Sequence, residues 1–313
     1  WARNLSFDPQ EIDKERGVII EEWRLRRGAA ARMQDRQLPI LLQGSRYAER
    51  LPIGTTTSIE TFSHGRLKQF YADWYRPDLM TVIAVGDFDR AAVEALLKQH
   101  FGSMPAAKAP RPRSSFTVPD HPDTLFAIAT DKEATSTSVA VYDKLPSRDE
   151  RTVGAYRQQM VEQLYSGMLN RRFSELAQKP DAPFLGGGGG RGSFVRATDA
   201  VTLNALVKED GIERGLDALF TEAARAARLG FTATELERQK LDTLRSMERA
   251  AAEKDKQQSA ALASEYVRHA TQDEPAPGIE FEYALHQRFL PGITLAEINA
   301  VGTSWANPAG RNP

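Results

Sequence analysis

Two rhythms of apolar residues run along the chain. Ile12, Ile19 and Trp23 recur at helical spacing, and Pro9 after Asp8, with Glu11 and Asp13, suits a first helical turn. The pattern predicts one long helix over residues 9–34. A second helix is predicted over 59–75, with Phe62, Leu67, Phe70, Tyr71 and Trp74 on its buried side and Pro77 behind its end. The compact β-branched run Leu79–Val85 predicts a buried strand. A turn at Gly86–Asp89 then leads into a helix over about 90–101. Further on, Leu125–Thr130 and Ser136–Tyr142 read as strands, 150–179 as a long helix, and 183–196 as a Gly-rich loop or irregular edge strand. Val201–Val207 predicts another strand and Ile212–Leu229 a helix. Residues 232–272 predict a very long helix or a helical pair, with short helices near 280–289 and 294–305. Strand pairs followed by helix pairs imply an α+β fold, with helices layered on a sheet.

The boundary signal is strongest at residues 103–119, which carry four prolines and no periodicity, as a semi-rigid linker does. The chain also resembles itself. Phe7–Lys14 matches Phe231–Arg238, Ser45–Arg50 matches Ser264–Arg268, and Leu67, Phe70 and Trp74 share their spacing with Ile298, Val301 and Trp305. Three matches in the same order point to a duplicated domain. In the first copy Trp74 is followed by a predicted strand and helix, whereas Trp305 is followed only by a short tail. The expectation is the C-terminal part of a first domain (1–103), a linker (104–119), most of a second, homologous domain (120–305), and a tail (306–313). On that reading the Trp1 start is a cut edge.

Charge narrows the function classes. The 313 residues hold 41 Lys+Arg against 42 Asp+Glu, a formal net charge of −1, without the positive field of a nucleic-acid binder. No apolar window reaches the ~18 residues of a bilayer span. The chain has no cysteine, which excludes disulfides, thiolate metal sites and cysteine nucleophiles.

The segment Glu15-Arg16-Gly17-Val18-Ile19-Ile20-Glu21-Glu22-Trp23 resembles the pitrilysin/insulinase (M16) zinc peptidase family, and its bacterial multi-domain members most. The likeness continues through Phe70-Tyr71-x-x-Trp74-Tyr75-Arg76-Pro77-Asp78-x-Met80 and Val85-Gly86-Asp87-Phe88. It extends through Leu169-Asn170-x-Arg172-Phe173-x-Glu175-Leu176 and Gly230-Phe231-x-x-x-Glu235-Leu236. The resemblance implies two-layer α/β domains of the LuxS/metallohydrolase-like type. It implies Glu22 as the third zinc ligand and Glu15 as a supporting carboxylate, and their seven-residue spacing, about 700° of helix, puts both on one face. From spacing alone, both read equally well as solvated charges on an amphipathic helix.

The resemblance also implies a peptide substrate, with Arg196 as a candidate contact, and further domains of a longer parent chain as partners. A homo- or hetero-dimer and a bacterial periplasmic location follow from the same likeness. The family's HxxEH motif supplies two zinc ligands and the general base, yet none of the five histidines here fits it, and no HExxH occurs. The expectation is therefore a zinc metalloendopeptidase piece that is inactive by itself; the alternative is a non-catalytic partner subunit that binds peptide or scaffolds an active subunit. At the repeat offset of 224, Glu15 falls on Gln239 and Glu22 on Ser246, so the second copy lacks the ligands. Gly186–Gly190 lacks a following GK[ST], which disfavours a phosphate loop. Arg24–Arg27, beside Glu21 and Glu22, reads as a solvated, ion-paired helix face.

Overall fold

Asp8 starts the first helix by accepting the amides of Gln10 (2.8 Å) and Glu11 (3.3 Å), and Pro9 fills the first turn. In the computed structural model, which describes residues 2 and 4–306, this helix, α1, spans Pro9–Leu25 and ends there rather than near residue 34. Arg26 caps it, and Gly28, extended at φ −69° and ψ 173°, begins α2 (Ala29–Leu41). The predicted helix 59–75 also divides. Thr55 caps α3 (Thr56–Thr61), Phe62 leaves helical geometry, and the Ser63 hydroxyl accepts the Arg66 amide to start α4 (His64–Trp74). A side-chain oxygen competing for helical amides breaks the run, which apolar spacing cannot register. Phe70 is 54% exposed, so it is not on the buried side. Next come a 3-10 turn at Pro77–Leu79 and α5 (Arg90–Phe101), capped by Asp89.

The predicted strands at 79–85 and 125–130 are absent. Both segments lie outside any ladder, with Val82 42%, Phe126 76% and Ile128 83% exposed. A β-branched run becomes a strand only where another strand meets its backbone donors and acceptors, and among the described residues none does. The third expected strand exists and is longer: β1 spans Thr137–Pro146.

The remaining elements are α6 (Val153–Ala177), β2 (Gly186–Val195), β3 (Thr198–Val207), α7 (Ile212–Leu229), α8 (Ala233–Ala252), α9 (Ser259–Gln272), α10 (Ile279–Phe289) and α11 (Leu295–Ala306). The region 232–272 is thus a helical pair. The sheet has the order β1-β3-β2 and is antiparallel throughout, and the glycine run forms edge strand β2, irregular at Ser193/Val195. Glycine serves here for close approach: a Cβ on Gly190 would lie 3.0 Å from Ser166 Oγ, and one on Gly189 2.6 Å from Leu203 Cδ2.

The chain divides into two compact units: unit 1 holds Trp1–Phe116, Ala127–Glu133 and Gln258–Ala270, and unit 2 the rest. In unit 2, α6 buries Met160, Val161, Leu164, Tyr165, Met168, Leu169 and Phe173 at three- and four-residue spacing. Phe184, Leu219, Phe231, Leu290, Ile293 and Ile298 close the same core. Unit 1 buries two hydrophobic side chains among the described residues, Leu42 and Ile59. Of the repeat, Asp8 and Thr232 both cap helices, and Trp74 and Trp305 both stand near helix ends. The middle match differs, since Ser45 caps a 3-10 turn while Ser264 sits inside α9. The Trp1 start and all but Ala306 of the expected tail lie outside the described residues.

Candidate functional site

Glu15 and Glu22 are exposed on α1. The Glu22 carboxylate pairs with Arg26 at 2.6 Å, one helical turn on. Beside them Arg16 is held firmly: it donates to the carbonyls of Ile59 and Phe62 and stacks 4.0 Å from the centre of the Phe62 ring. Asp13 joins it at 3.0 Å and also meets His64 at 2.8 Å; the His64 hydrogen bond, then that of Arg16, holds the Asp13 carboxyl below its usual range. The motif arginine thus fastens α1 to the segment around α3, and the two motif glutamates face outward.

Catalytic zinc takes three protein ligands and keeps one open position. Among the described residues, no three His, Cys, Asp or Glu side chains converge on a point that could hold a metal. Two exposed carboxylates two helical turns apart do not by themselves make such a site. Three histidines are engaged elsewhere, His64 with Asp13 as above. His286 is 3% exposed and its Nδ1 bonds the Glu282 carbonyl at 2.8 Å, with burial pushing its pKa down; His121 Nδ1 bonds the Asp123 carbonyl at 2.7 Å.

At the repeat offset, the position matching Glu15 is half-buried. Gln239 on α8 lies against Gly167 of α6, where a Cβ would come within 2.6 Å of its Nε2. The motif residues around it are structural. Arg172 donates to Glu235 (2.8 Å), Glu222 (3.2 Å) and the Gly230 carbonyl (3.2 Å), and its guanidinium lies 4.3 Å from the centre of the Phe231 ring. Burial pushes the Glu235 carboxyl up, but Arg172 and the Thr232 donors overcome this and hold it at about 2. Asn170 accepts the Gly189 amide at 2.7 Å, tying α6 to β2. Two motifs distant in sequence therefore meet in one part-buried network, Arg172 and Glu235 standing 63 positions apart.

Unit 2 also contains an open cleft of about 1330 Å³. Its walls are the bare β2 backbone at Gly189, Gly190 and Gly192, the polar face of α6, the loop at 147–151, and the segment after α9. Arg196, exposed in the β2–β3 turn, lines it, as does Tyr156, whose hydroxyl burial pushes well above its ordinary pKa. Arg191 crosses to Asp199 at 2.8 Å, and Arg148 pairs with Glu162. Burial raises the pKa of Glu150; Arg148 opposes this, and the charges of Asp199 and Glu274 add to it. Of the residues lining this cleft, the sequence singles out Arg196 and passes over Glu150, Arg191 and Asp199. The one usable sign was the adjacency of Arg191 to the glycine run.

The α+β unit carries a helix tied to a glycine-rich edge strand, and the helix α1 presents two exposed glutamates. The family model described as "Peptidase M16 inactive domain" matches residues 61–241, and the chain belongs to this peptidase M16 family. It is 33% identical over 300 residues to a "Zinc protease PQQL-like" of Arabidopsis thaliana, covering 96% of this chain and 28% of that protein. It is 30% identical over 300 residues to the "Probable zinc protease PqqL" of Escherichia coli, covering 95% of this chain and 32% of that one. The crystal structure of the periplasmic protease PqqL from E. coli matches with a TM-score of 0.91 at 27% identity, over 100% of this chain and 34% of that chain. The chain thus spans about a third of the length of its curated relatives. Their names place zinc and proteolysis in this family, and the fold is α+β as expected. No helix among the described residues is long and apolar enough to cross a membrane.

Proposed function

We propose that this chain contributes to a zinc-dependent endopeptidase that hydrolyses peptide bonds in peptides or unfolded proteins. In that enzyme residues 1–103 bring Glu22 as the third zinc ligand, with Glu15 supporting it. Residues 120–305, beyond the linker 104–119, form a non-catalytic domain that binds the peptide. The observation that carries the reading is the motif helix α1, whose arginine is fixed inward while Glu15 and Glu22 remain exposed on one helix, within a family of named zinc proteases. HxxEH ligands, which this sequence lacks, would complete the site, so the chain alone is inactive. The cleft lined by Arg196 offers the peptide-binding surface, and the periplasm, as for the E. coli relative, is the compartment.

The test is a polypeptide carrying this chain together with an HxxEH segment. Glu22→Gln removes stoichiometric zinc and peptidase activity, while Glu15→Gln weakens zinc retention about 10–100-fold, as loss of a supporting carboxylate does. Unchanged zinc content in Glu22→Gln overturns the assignment. The second reading, a non-catalytic subunit, draws on the match to the family's inactive domain. It predicts that the sequence encoded before Trp1 contains no HxxEH.

A further inference from the structure

The helix that carries the two motif glutamates has no buried stripe: among the described residues, no side chain of α1 is buried. Apolar packing therefore fixes its rotation about its own axis only weakly. Polar side chains from its N-terminal half do more. His64 Nε2, on α4, donates to the Asp13 carboxylate at 2.8 Å, since an ionised carboxylate can only accept. The same Asp13 oxygen accepts Arg16 Nε at 3.0 Å, and Arg16 reaches on to the carbonyls of Ile59 and Phe62. One carboxylate thus ties α1 to α4 directly and to the end of α3 through Arg16.

The residues leading into α1 add an independent contact to the same neighbour. Phe7 holds φ 52°, in the left-handed region that a side-chain-bearing residue keeps only where its surroundings compensate. The compensation is its ring, which meets Tyr71 of α4 edge to face at 5.1 Å. Helical geometry then shows what the contacts control. At 100° per residue, Asp13 and Arg16 share one side of α1, about 140° around the helix from Glu15 and Glu22. The grip is on the back of the helix, so it governs the direction in which the glutamates point.

We infer that Asp13 and His64 are positioning residues: their hydrogen bond, together with Arg16, sets the rotation of α1 and thereby aims Glu15 and Glu22. The inference rests on the reading of Glu22 as a zinc ligand and adds which side chains hold that ligand in direction. In this role neither Asp13 nor His64 touches metal or substrate; each acts through α1.

Because the chain has no cysteine, Glu15→Cys and Lys68→Cys place nitroxide labels at two exposed points, one on α1 and one on α4. Pulsed electron paramagnetic resonance on the labelled 313-residue chain is expected to give one narrow distance distribution. His64→Ala and Asp13→Ala should each broaden it, whereas His64→Gln, which keeps a donor, should retain it. An unchanged distribution in His64→Ala, or equal broadening in His64→Gln, overturns the inference. Loss of helix content by circular dichroism in His64→Ala overturns it too, since a positioning contact can be removed without melting its helix. In a polypeptide carrying this chain together with an HxxEH segment, His64→Ala should weaken zinc binding about tenfold, read by competition with a chromogenic chelator. Zinc affinity unchanged in that variant, while Glu22→Gln abolishes binding, overturns the inference and leaves the Glu22 reading standing. Zinc affinity unchanged in both overturns both.

Discussion

Unit 2 and unit 1 solve the same problem by different means. A single helix of unit 2, α6, buries seven hydrophobic side chains, whereas α1, α2, α4 and α5 of unit 1 bury none. In place of a core, unit 1 uses long cationic side chains as fasteners. Arg16 reaches two backbone carbonyls and a ring, Arg32 reaches Asp131 at 2.7 Å and Glu133 at 2.6 Å, and Arg111 reaches Asp73 at 3.0 Å with Trp74 5.3 Å from its guanidinium carbon. Apolar burial is insensitive to salt, and exposed ion pairs are not. The units should therefore differ in stability and in what weakens them.

The largest expected effect tests that difference directly. Phe173, 0% exposed, should cost about 3–5 kcal/mol when cut to Ala, because transfer and cavity terms add. Scanning calorimetry should show that loss in one transition and leave the other in place; an equal fall of both would mean the units unfold as one and would break the comparison. Arg16→Ala should come next, costing unit 1 about 1–2 kcal/mol through two unmet carbonyls and a lost ring contact. High salt should weaken that same transition in the parent protein more than it weakens the Phe173 transition.

The smallest effect concerns acid. Glu235 is depressed from 4.5 to about 2 in the folded state, so its contribution is present above pH 4.5 and is lost as pH falls toward 2. After solvent screening this amounts to about 1 kcal/mol. Urea titrations of unit 2 at neutral pH and near pH 3 should show it, with Glu235→Gln flattening the dependence. An equally steep variant would place the acid sensitivity elsewhere, Glu297 being the next candidate because Arg157 and the Thr294 donors also hold it at about 2.

Helix periodicity was readable wherever a core selected it. In α6, α7, α10 and α11 the apolar stripe and the element coincide within a few residues, and Thr232 and Thr294 announce helix starts by their reciprocal pairing with Glu235 and Glu297. Reading failed where one polar atom or an absent neighbour decided. Ser63 divides a helix whose apolar spacing continues through it. Met80 to Val85 is extended-type sequence with no ladder partner among the described residues. Glu15, Glu22 and Arg196 could be singled out as candidates because the family resemblance marks them. The carboxylates around the cleft could not, because Glu150, Asp199 and Glu274 come from three separate parts of the chain and come within reach of one another only through the fold.

The five consecutive glycines of β2 have one more consequence, for the path of folding. Strand register is normally enforced because a one-residue slip turns every side chain to the wrong face. Over Gly186–Gly190 no side chain exists to be misplaced, so slipped pairings with β3 lose little. What fixes the alignment stands within or just beyond the run: the Asn170–Gly189 bond and the diagonal Arg191–Asp199 pair. Removing both anchors should leave the strand in place and populate several alignments, seen as doubled amide signals and slow, multi-phase refolding.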